Sequence, residues 1–427
     1  MSIATIELND VAIRIDSESG TSLSPGYAVV DGDRLLIGEA GLANARLLPR
    51  WRNNRFWQSL DTNPLNEATP SIRHHADLVF SHLESLADQI KQQSGLILLV
   101  PSDYTGEQLG LLLGITRELG LPVSAMLDEG VAAGLNASLP RAIYVEIYQH
   151  RWVMTTMTTG QHIQRTNSQT IGIRGWSSLM DQWAALLANR FIAEHRYDPA
   201  HQAASEQQLY DRIPLWLSDP DTPPSLDVGE ASRTITISEA EWQSVCSDQI
   251  ANVTRVITDH IDSTKSSDSI EILLGPQAGS VPGLARSLEL IDSANVTALA
   301  QDATSALVRS HGETIASLSS DVTHIVQLPI SNENSPHTPQ ASPVTHLLGG
   351  YSALRIDSNL DISGVADGKP VSGDSPAFSL VRHGSRTFLD PHKPVSLNGS
   401  PTTESTEVAP GDVITLNDCD LLLISDA

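Results

Sequence analysis

Two hydrophobic periods alternate along the first 330 residues. Residues 3–15 switch between apolar and polar positions with a period of two and predict a pair of strands. Residues 27–37, turning at Asp31-Gly32-Asp33, predict a hairpin. A period near 3.6 follows over 72–93, where Leu78, Phe80, Leu83, Leu86 and Ile90 fall on one helical face. Gly95–Val100 is a continuous apolar run of the kind buried on both faces of a sheet, and Pro101 stops it. A helix over 106–119 comes next, closed by Gly120 and Pro122.

The middle of the chain repeats this order. Strand-forming runs at 142–147 and 152–158 precede helical patterns at 176–195 and 239–261, and a further buried run at 270–274 opens into the turn GPQAG, 275–279. Strands alternating with helices predict a layered α/β domain. The repetition predicts a duplicated, two-lobed one, with lobe I at about 1–140 and lobe II at about 141–330. Residues 331–345, SNENSPHTPQASPVT, carry too little apolar material to pack and predict a linker. From 346 to 427, short β-like runs separated by Gly, Asp, Asn and Pro predict a small all-β domain.

Charge narrows the possible partners. The 427 residues carry 51 Asp and Glu against 26 Lys and Arg, a formal charge of −25. Such a chain repels phosphate unless its cations are gathered in one place. The sequence does not gather them, so neither nucleic acid nor a membrane surface is expected as a partner. Lysine occurs only at 91, 265, 369 and 393, which leaves the first 90 residues without one. Cys246 and Cys419 are too far apart in sequence for a CxxC pair and read as buried thiols of a reducing compartment. No apolar run approaches the length of a membrane span, and MSIATIELND lacks the basic-then-apolar order of a leader, so a cytoplasmic location is expected.

Common catalytic signatures are missing. No GxSxG, HExxH or paired-Cys pattern occurs, and GVADGKP at 364–370 places Pro370 where a phosphate loop needs Ser or Thr. His74-His75 lacks a third ligand at metal spacing and reads as a solvated helix start.

One stretch stands above this background: VPSDYTGEQLGLLLGITRELGLPVSAMLDEGVAAGL, 100–135. It resembles a segment of the DnaK-type, heat shock protein 70-like chaperones, members of the actin-like ATPase superfamily. In that family a strand ending in V-P precedes a helix, a Gly-Leu turn and an E-x-x-A-A-x-L helix start. Val100-Pro101, Gly120-Leu121, and Glu129 with Ala132-Ala133 hold those places. DGDRLLIGEAG at 31–41 is similar to the family's hairpin and following helix start. Residues 171–195 are similar to its glycine turn and helix after the second phosphate hairpin, and ISEAEW at 237–242 to a later helix start. The resemblance spans about 1–325 and implies the two-lobed actin-like ATPase fold.

Family members hold ATP between the lobes on two hairpin loops, D-x-G-T-T and D-x-G-G-G-T. Their glycines let backbone N–H groups approach the phosphates, and an acidic residue organises Mg²⁺. Here the first loop reads Ile6-Glu7-Leu8-Asn9-Asp10-Val11: Glu7 stands for the aspartate, Asn9 replaces glycine, and Asp10 adds a carboxylate facing the phosphates. The second reads Val145-Glu146-Ile147-Tyr148-Gln149-His150, with no glycine and a tyrosine ring in the phosphate path. At roughly 4 Å, an added like charge alone costs about 1 to 4 kcal/mol. The family's catalytic lysine follows a segment that here reads LPRWRNNRFW, 48–57, where only Arg50, Arg52 and Arg55 offer charge. A guanidinium is a wide fork and not a point donor, so a structural or partner-facing role is expected of them. LLGPQAGSVP, 273–282, is similar to the adenosine-side motif L-V-G-G-S-T-R-I-P and implies Gly275, Gly279 and Ser280 as nucleoside contacts.

At the far end, Asn398-Gly399 followed by Gly411-Asp412-Val413-Ile414 resembles the second half of a forkhead-associated domain, where an N-G turn precedes a G-D-x-I strand. Such domains read phosphothreonine with Arg, Ser and His. Residues 367–379 offer Ser372 and Ser375 but neither Arg nor His, so phosphopeptide reading is not expected, and Arg382, His383 and Arg386 read as exposed strand charges. Together these resemblances and departures imply a non-catalytic DnaK-like pseudo-ATPase with a forkhead-associated-like module, acting as a protein-interaction scaffold without a cofactor. The alternative is a divergent chaperone-like ATPase that binds ATP and places Glu7, Glu129 and Glu146 around Mg²⁺.

Overall fold

The computed structural model describes residues 3–329 and 345–424, save 19, 67, 220, 230, 265–267, 319–321, 350–351, 357–358, 367–368, 374, 384–385, 399, 409–411 and 418. The linker expected at 331–345 lies, apart from Thr345, outside the described residues. The chain is mixed α/β and divides into two compact units, 1–332 and 333–427.

Two six-stranded sheets of the first unit share one connection pattern. In the first sheet Ile3–Glu7, Ile13–Ser17 and Gly20–Ser24 form an antiparallel meander, and Gly95–Val100 and then Val123–Asp128 add in parallel on the other side of Ile3–Glu7. The second sheet repeats this with Arg141–Ile147, Trp152–Thr158 and Ile163–Gly172 as the meander and Ile270–Leu274 and Ala294–Ala298 as the parallel additions.

The period of two along each strand divides the apolar residues among three cores. Leu96, Leu98 and Val100 join Leu78, Leu83 and Leu112 from the helices His75–Ile90 and Gly106–Glu118 on the outer face of the first sheet. Ile143, Val145, Ile147, Ile272 and Leu274 do the same on the second sheet, against Leu179, Trp183, Leu187 and Phe191 of the helix Trp176–His195. The intervening positions Ile97, Leu99, Ala142, Tyr144 and Leu273 meet in a middle core that both sheets share. This explains why the parallel strands read as unbroken apolar runs: helices cover one face and the other sheet's partners cover the second. Each such buried aliphatic side chain contributes roughly 1.5–3 kcal/mol.

A five-residue stretch binds to both sheets. His324–Ile325 extends the first in parallel beside Val123–Asp128, and Gln327–Leu328 extends the second antiparallel to Ile163–Gly172. Ile325 and Leu328 bury their side chains in the middle core.

Several elements differ from the sequence expectation. Gly20–Ser24 and Ile163–Gly172 are largely polar and carry little alternation, so pairing with their neighbours makes them strands. Val123–Asp128 follows Pro122 closely and was not expected as a strand either. The helix Ala203–Ser218 was not expected, because Pro214 interrupts its pattern; buried Leu209, Ile213 and Trp216 hold it against the second core. His74 is an N-cap, forming a capping box with Asp77, and His75 pairs with Asp61 at 3.0 Å. Cys246 is buried, which pushes its thiol up to about 12, whereas Cys419 is only partly buried.

In the second unit every described element is a strand. A six-stranded and a four-stranded sheet contribute Leu347, Ile362, Phe378, Leu389, Ile414 and Leu423 to one core. The described residues of the stretch GVADGKP lie in the paired strands Gly364–Ala366 and Lys369–Val371. Asn398 adopts a left-handed φ of 51° and reaches across to the start of the strand Val413–Leu416: its amide donates to Asp412 at 2.8 Å and its carbonyl accepts from the Val413 N–H at 2.9 Å. Ser372 and Ser375 are exposed. The side chains of His383 and Arg386 lie outside the described residues, and Arg382 has an interaction partner.

Candidate functional site

Three acidic side chains converge where the two sheets approach each other. Glu7 ends the strand Ile3–Glu7, Glu146 sits one residue before the end of Arg141–Ile147, and Glu129 opens the helix Glu129–Ala133. Their carboxyl oxygens lie within 4.8 Å of one another, and all three side chains are buried. Local structure fixes Glu129 firmly. Asp128 caps its helix through the Val131 N–H at 3.1 Å, and is itself held by Ser102 at 2.8 Å and Arg165 at 2.6 Å. A side chain at Gly130 would overlap Thr155, so glycine lets this helix start press against the second sheet.

Two tyrosines satisfy Glu129: Tyr144 donates to Oε1 at 2.6 Å and Tyr148 donates to Oε2. Glu146 Oε1 accepts from the Ile147 N–H at 2.7 Å and the Ala278 N–H at 2.8 Å, which places its carboxyl on the first turn of Pro276–Gly279. Among the described residues, Glu7 and Glu146 Oε2 accept no hydrogen bond shorter than 3.5 Å. Burial, followed by the Glu129 charge, pushes Glu7 up to about 8. Burial pushes Glu129 up to about 7 against the two tyrosine hydrogen bonds, and Glu146 rises well above the usual carboxylate range.

The two loops that the family resemblance assigns to phosphates bind each other. The Tyr148 N–H donates to the Arg151 carbonyl at 2.8 Å and closes the second loop, while the Tyr148 ring lies 4.2 Å from the Arg151 guanidinium. Arg151 is held in a bidentate pair by Asp103 at 2.5 and 2.9 Å. Asp10, expected to face phosphates, instead accepts from the Gln149 N–H at 2.7 Å, with its second oxygen 3.9 Å from Arg151. Asn9 donates across to the Ile147 carbonyl at 3.1 Å. Gly175 seals the back of this hairpin: a Cβ there would overlap the Tyr148 carbonyl and the Arg151 N–H.

The residues implied as nucleoside contacts serve the turn itself. A Cβ at Gly275 would overlap Glu146 and lie 2.6 Å from the Tyr144 hydroxyl, so glycine here makes room for the buried acid. Gly279 donates to the Gly275 carbonyl at 2.8 Å, and Ser280 donates its hydroxyl to the Gln277 carbonyl at 2.7 Å. Arg50 and Arg52 line a separate cavity, and the leading charges acting on Glu7 are Glu129, Arg14 and Asp16.

What remains open beside Glu7, Asn9, Arg14, Pro276 and Gln277 is a cavity of about 30 Å³. That is about the volume of one water, against roughly 300–1,000 Å³ for a typical small-molecule site. Three carboxyls could hold a hard cation by charge, but three of their six oxygens are already engaged by hydrogen bonds at 2.8 Å or less. Sequence reasoning passed over Tyr144, Arg151 and Asp103. Arg151, an arginine directly after a glycine-free loop, was the available signal. No family model matches this chain, and no curated protein matches it.

Proposed function

We propose that this chain is a non-catalytic member of the DnaK-like, actin-like ATPase fold, a pseudo-ATPase that acts as a protein-interaction scaffold and carries a forkhead-associated-like β module. The single observation that carries this reading is the side-chain filling of the cleft: Tyr148, Arg151 and Asp10 occupy the two loops, and about 30 Å³ stays free beside Glu7. A triphosphate needs inward-facing N–H groups and space, and here the Gln149 N–H is turned onto Asp10. The fold assignment rests on the duplicated sheet order, a meander followed by two parallel strands in both halves. Ile173, at 90% exposure, is the most exposed large apolar side chain among the described residues and is the position at which an interaction role can be probed. The Asn398 link to Asp412 and Val413 supports the assignment of the β module.

A phosphate-release assay with Mg-ATP tests the catalytic half of the proposal. Release no faster than in buffer is expected; turnover lost on Glu146→Ala would instead establish the divergent ATPase. One observation favours that second reading, the approach of Glu7, Glu129 and Glu146 oxygens to within 4.8 Å. It requires Mg-ATP to raise the melting temperature through Glu146, and no shift at millimolar nucleotide removes it. The scaffold half is tested by affinity capture with an Ile173→Asp control: a partner retained equally by the variant would exclude that surface.

A further inference from the structure

Beside the first sheet lies a cavity of about 400 Å³ that takes no part in the carboxyl cluster. Its walls follow from local pairing. The hairpin of Ala28–Asp31 and Arg34–Ile37 is joined by the short strand Arg52–Asn53, with Val29 opposite Arg52. The facing wall is the turn at 64–66, tied down by the Leu65 N–H donating to the Arg73 carbonyl at 2.8 Å, and Leu78 of the following helix lines the interior. Trp51 and Leu65 give the cavity apolar surface, and Arg52, Asn53 and Asn66 give it donors.

Arg52 supplies a guanidinium to this wall. Arg14, Arg46, Arg73, Arg151, Arg165, Arg190, Arg212 and Arg255 each have a carboxylate partner. Arg52, half-buried, makes no ion pair or side-chain hydrogen bond among the described residues, and neither does Arg55 three positions on. Their field reaches the neighbouring imidazole: His150 is held down to about 4 by burial first, then by the charges of Arg55 and Arg52. A half-buried guanidinium with no carboxylate partner among the described residues thus lines a concave, partly apolar site of ligand size.

We propose that this cavity binds a small organic oxyanion, a carboxylate or a phosphate monoester on an aromatic or aliphatic body. Arg52 is its anion fork, and Trp51 and Leu65 cover the body. A guanidinium matches the paired oxygens of either headgroup, and neither the cavity volume nor its apolar wall is needed for a bare inorganic ion. The proposal is independent of the reading of the cleft, because Arg52 lines a different cavity and is not among the leading charges acting on Glu7.

The test is a calorimetric titration of the full chain at low ionic strength with phenyl phosphate, benzoate, inorganic phosphate and benzyl alcohol. Saturable binding of phenyl phosphate or benzoate is expected, with inorganic phosphate and benzyl alcohol at least about tenfold weaker. Whichever aromatic anion binds more tightly identifies the headgroup. Arg52→Gln should weaken it by about 10- to 100-fold, as loss of a charge-assisted pair does. Trp51→Phe should keep the binding heat while removing the accompanying fluorescence change. If Arg52→Gln does not fold, the parent's affinity must fall steeply with added salt. No saturable binding at about 10 mM, equal binding of benzyl alcohol, or affinity indifferent to both Arg52→Gln and salt would overturn the proposal.

Discussion

The Tyr148 hydroxyl donates to Glu129 while its ring lies against Arg151, so one side chain both fills the second loop and satisfies a buried acid. Two expectations follow at this scale. Tyr148→Phe leaves Glu129 Oε2 without its donor and should cost about 1–3 kcal/mol in urea unfolding. The second concerns pH. Glu7 and Glu129 have folded values of about 8 and 7, raised from about 4.3 when unfolded. Their contribution to stability is therefore fully present below about pH 4 and lost as pH rises through 7 to 8. His82 and His150, both held down to about 4, act oppositely: what they contribute is present above about 6.5 and lost as pH falls. Comparing the parent with Glu146→Gln cancels the histidines. The glutamine oxygen can keep the Ile147 and Ala278 N–H bonds. The variant should be more stable by about 1–3 kcal/mol at pH 8.5, with the difference gone below about pH 4. A pH-independent difference would show that the three acids do not store protons. Residue chemistry was partly legible in the sequence: the absence of glycine from 6–11 and 145–150, and Tyr148 itself, could be read directly. The turning of Asp10 onto the Gln149 N–H could not, because it joins residues 139 positions apart.

Among the elements, the helix Gly106–Glu118 carries Gly106, Gly110 and Gly114 on one face, and a Cβ at any of them would meet nothing within 4 Å. Glycine in a helix interior costs about 1 kcal/mol relative to alanine. Gly110→Ala and Gly114→Ala should each raise stability by about 0.5–1 kcal/mol in thermal unfolding; a loss would mean that this face is covered in solution. The paired strands at 324–328 lead to a different expectation. Ile325→Ala and Leu328→Ala should each cost about 2–5 kcal/mol and raise hydrogen exchange in both Val123–Asp128 and Ile163–Gly172. Exchange confined to one sheet would contradict their shared role. Elements with a strong period, such as His75–Ile90 and Gly95–Val100, were legible because their own residues specify burial. The polar strands Gly20–Ser24 and Ile163–Gly172 were not, since a strand's neighbours supply what its sequence omits.

Across the whole molecule, duplication was visible as a repeated order of strand and helix, but the middle core was not. It arises only when Ile97 and Leu99 of one sheet meet Tyr144 and Leu273 of the other. That core brings the ends of Ile3–Glu7 and Arg141–Ile147 together, and it is why three acids from distant parts of the sequence share one buried space. The same closeness leaves a cavity of about 30 Å³ beside Glu7, and the proposal that no nucleotide binds rests on it. Isothermal titration of the full chain with Mg²⁺ and a non-hydrolysable ATP analogue tests this most directly. The account predicts no heat of binding up to about 1 mM ligand, and saturable micromolar binding would contradict it.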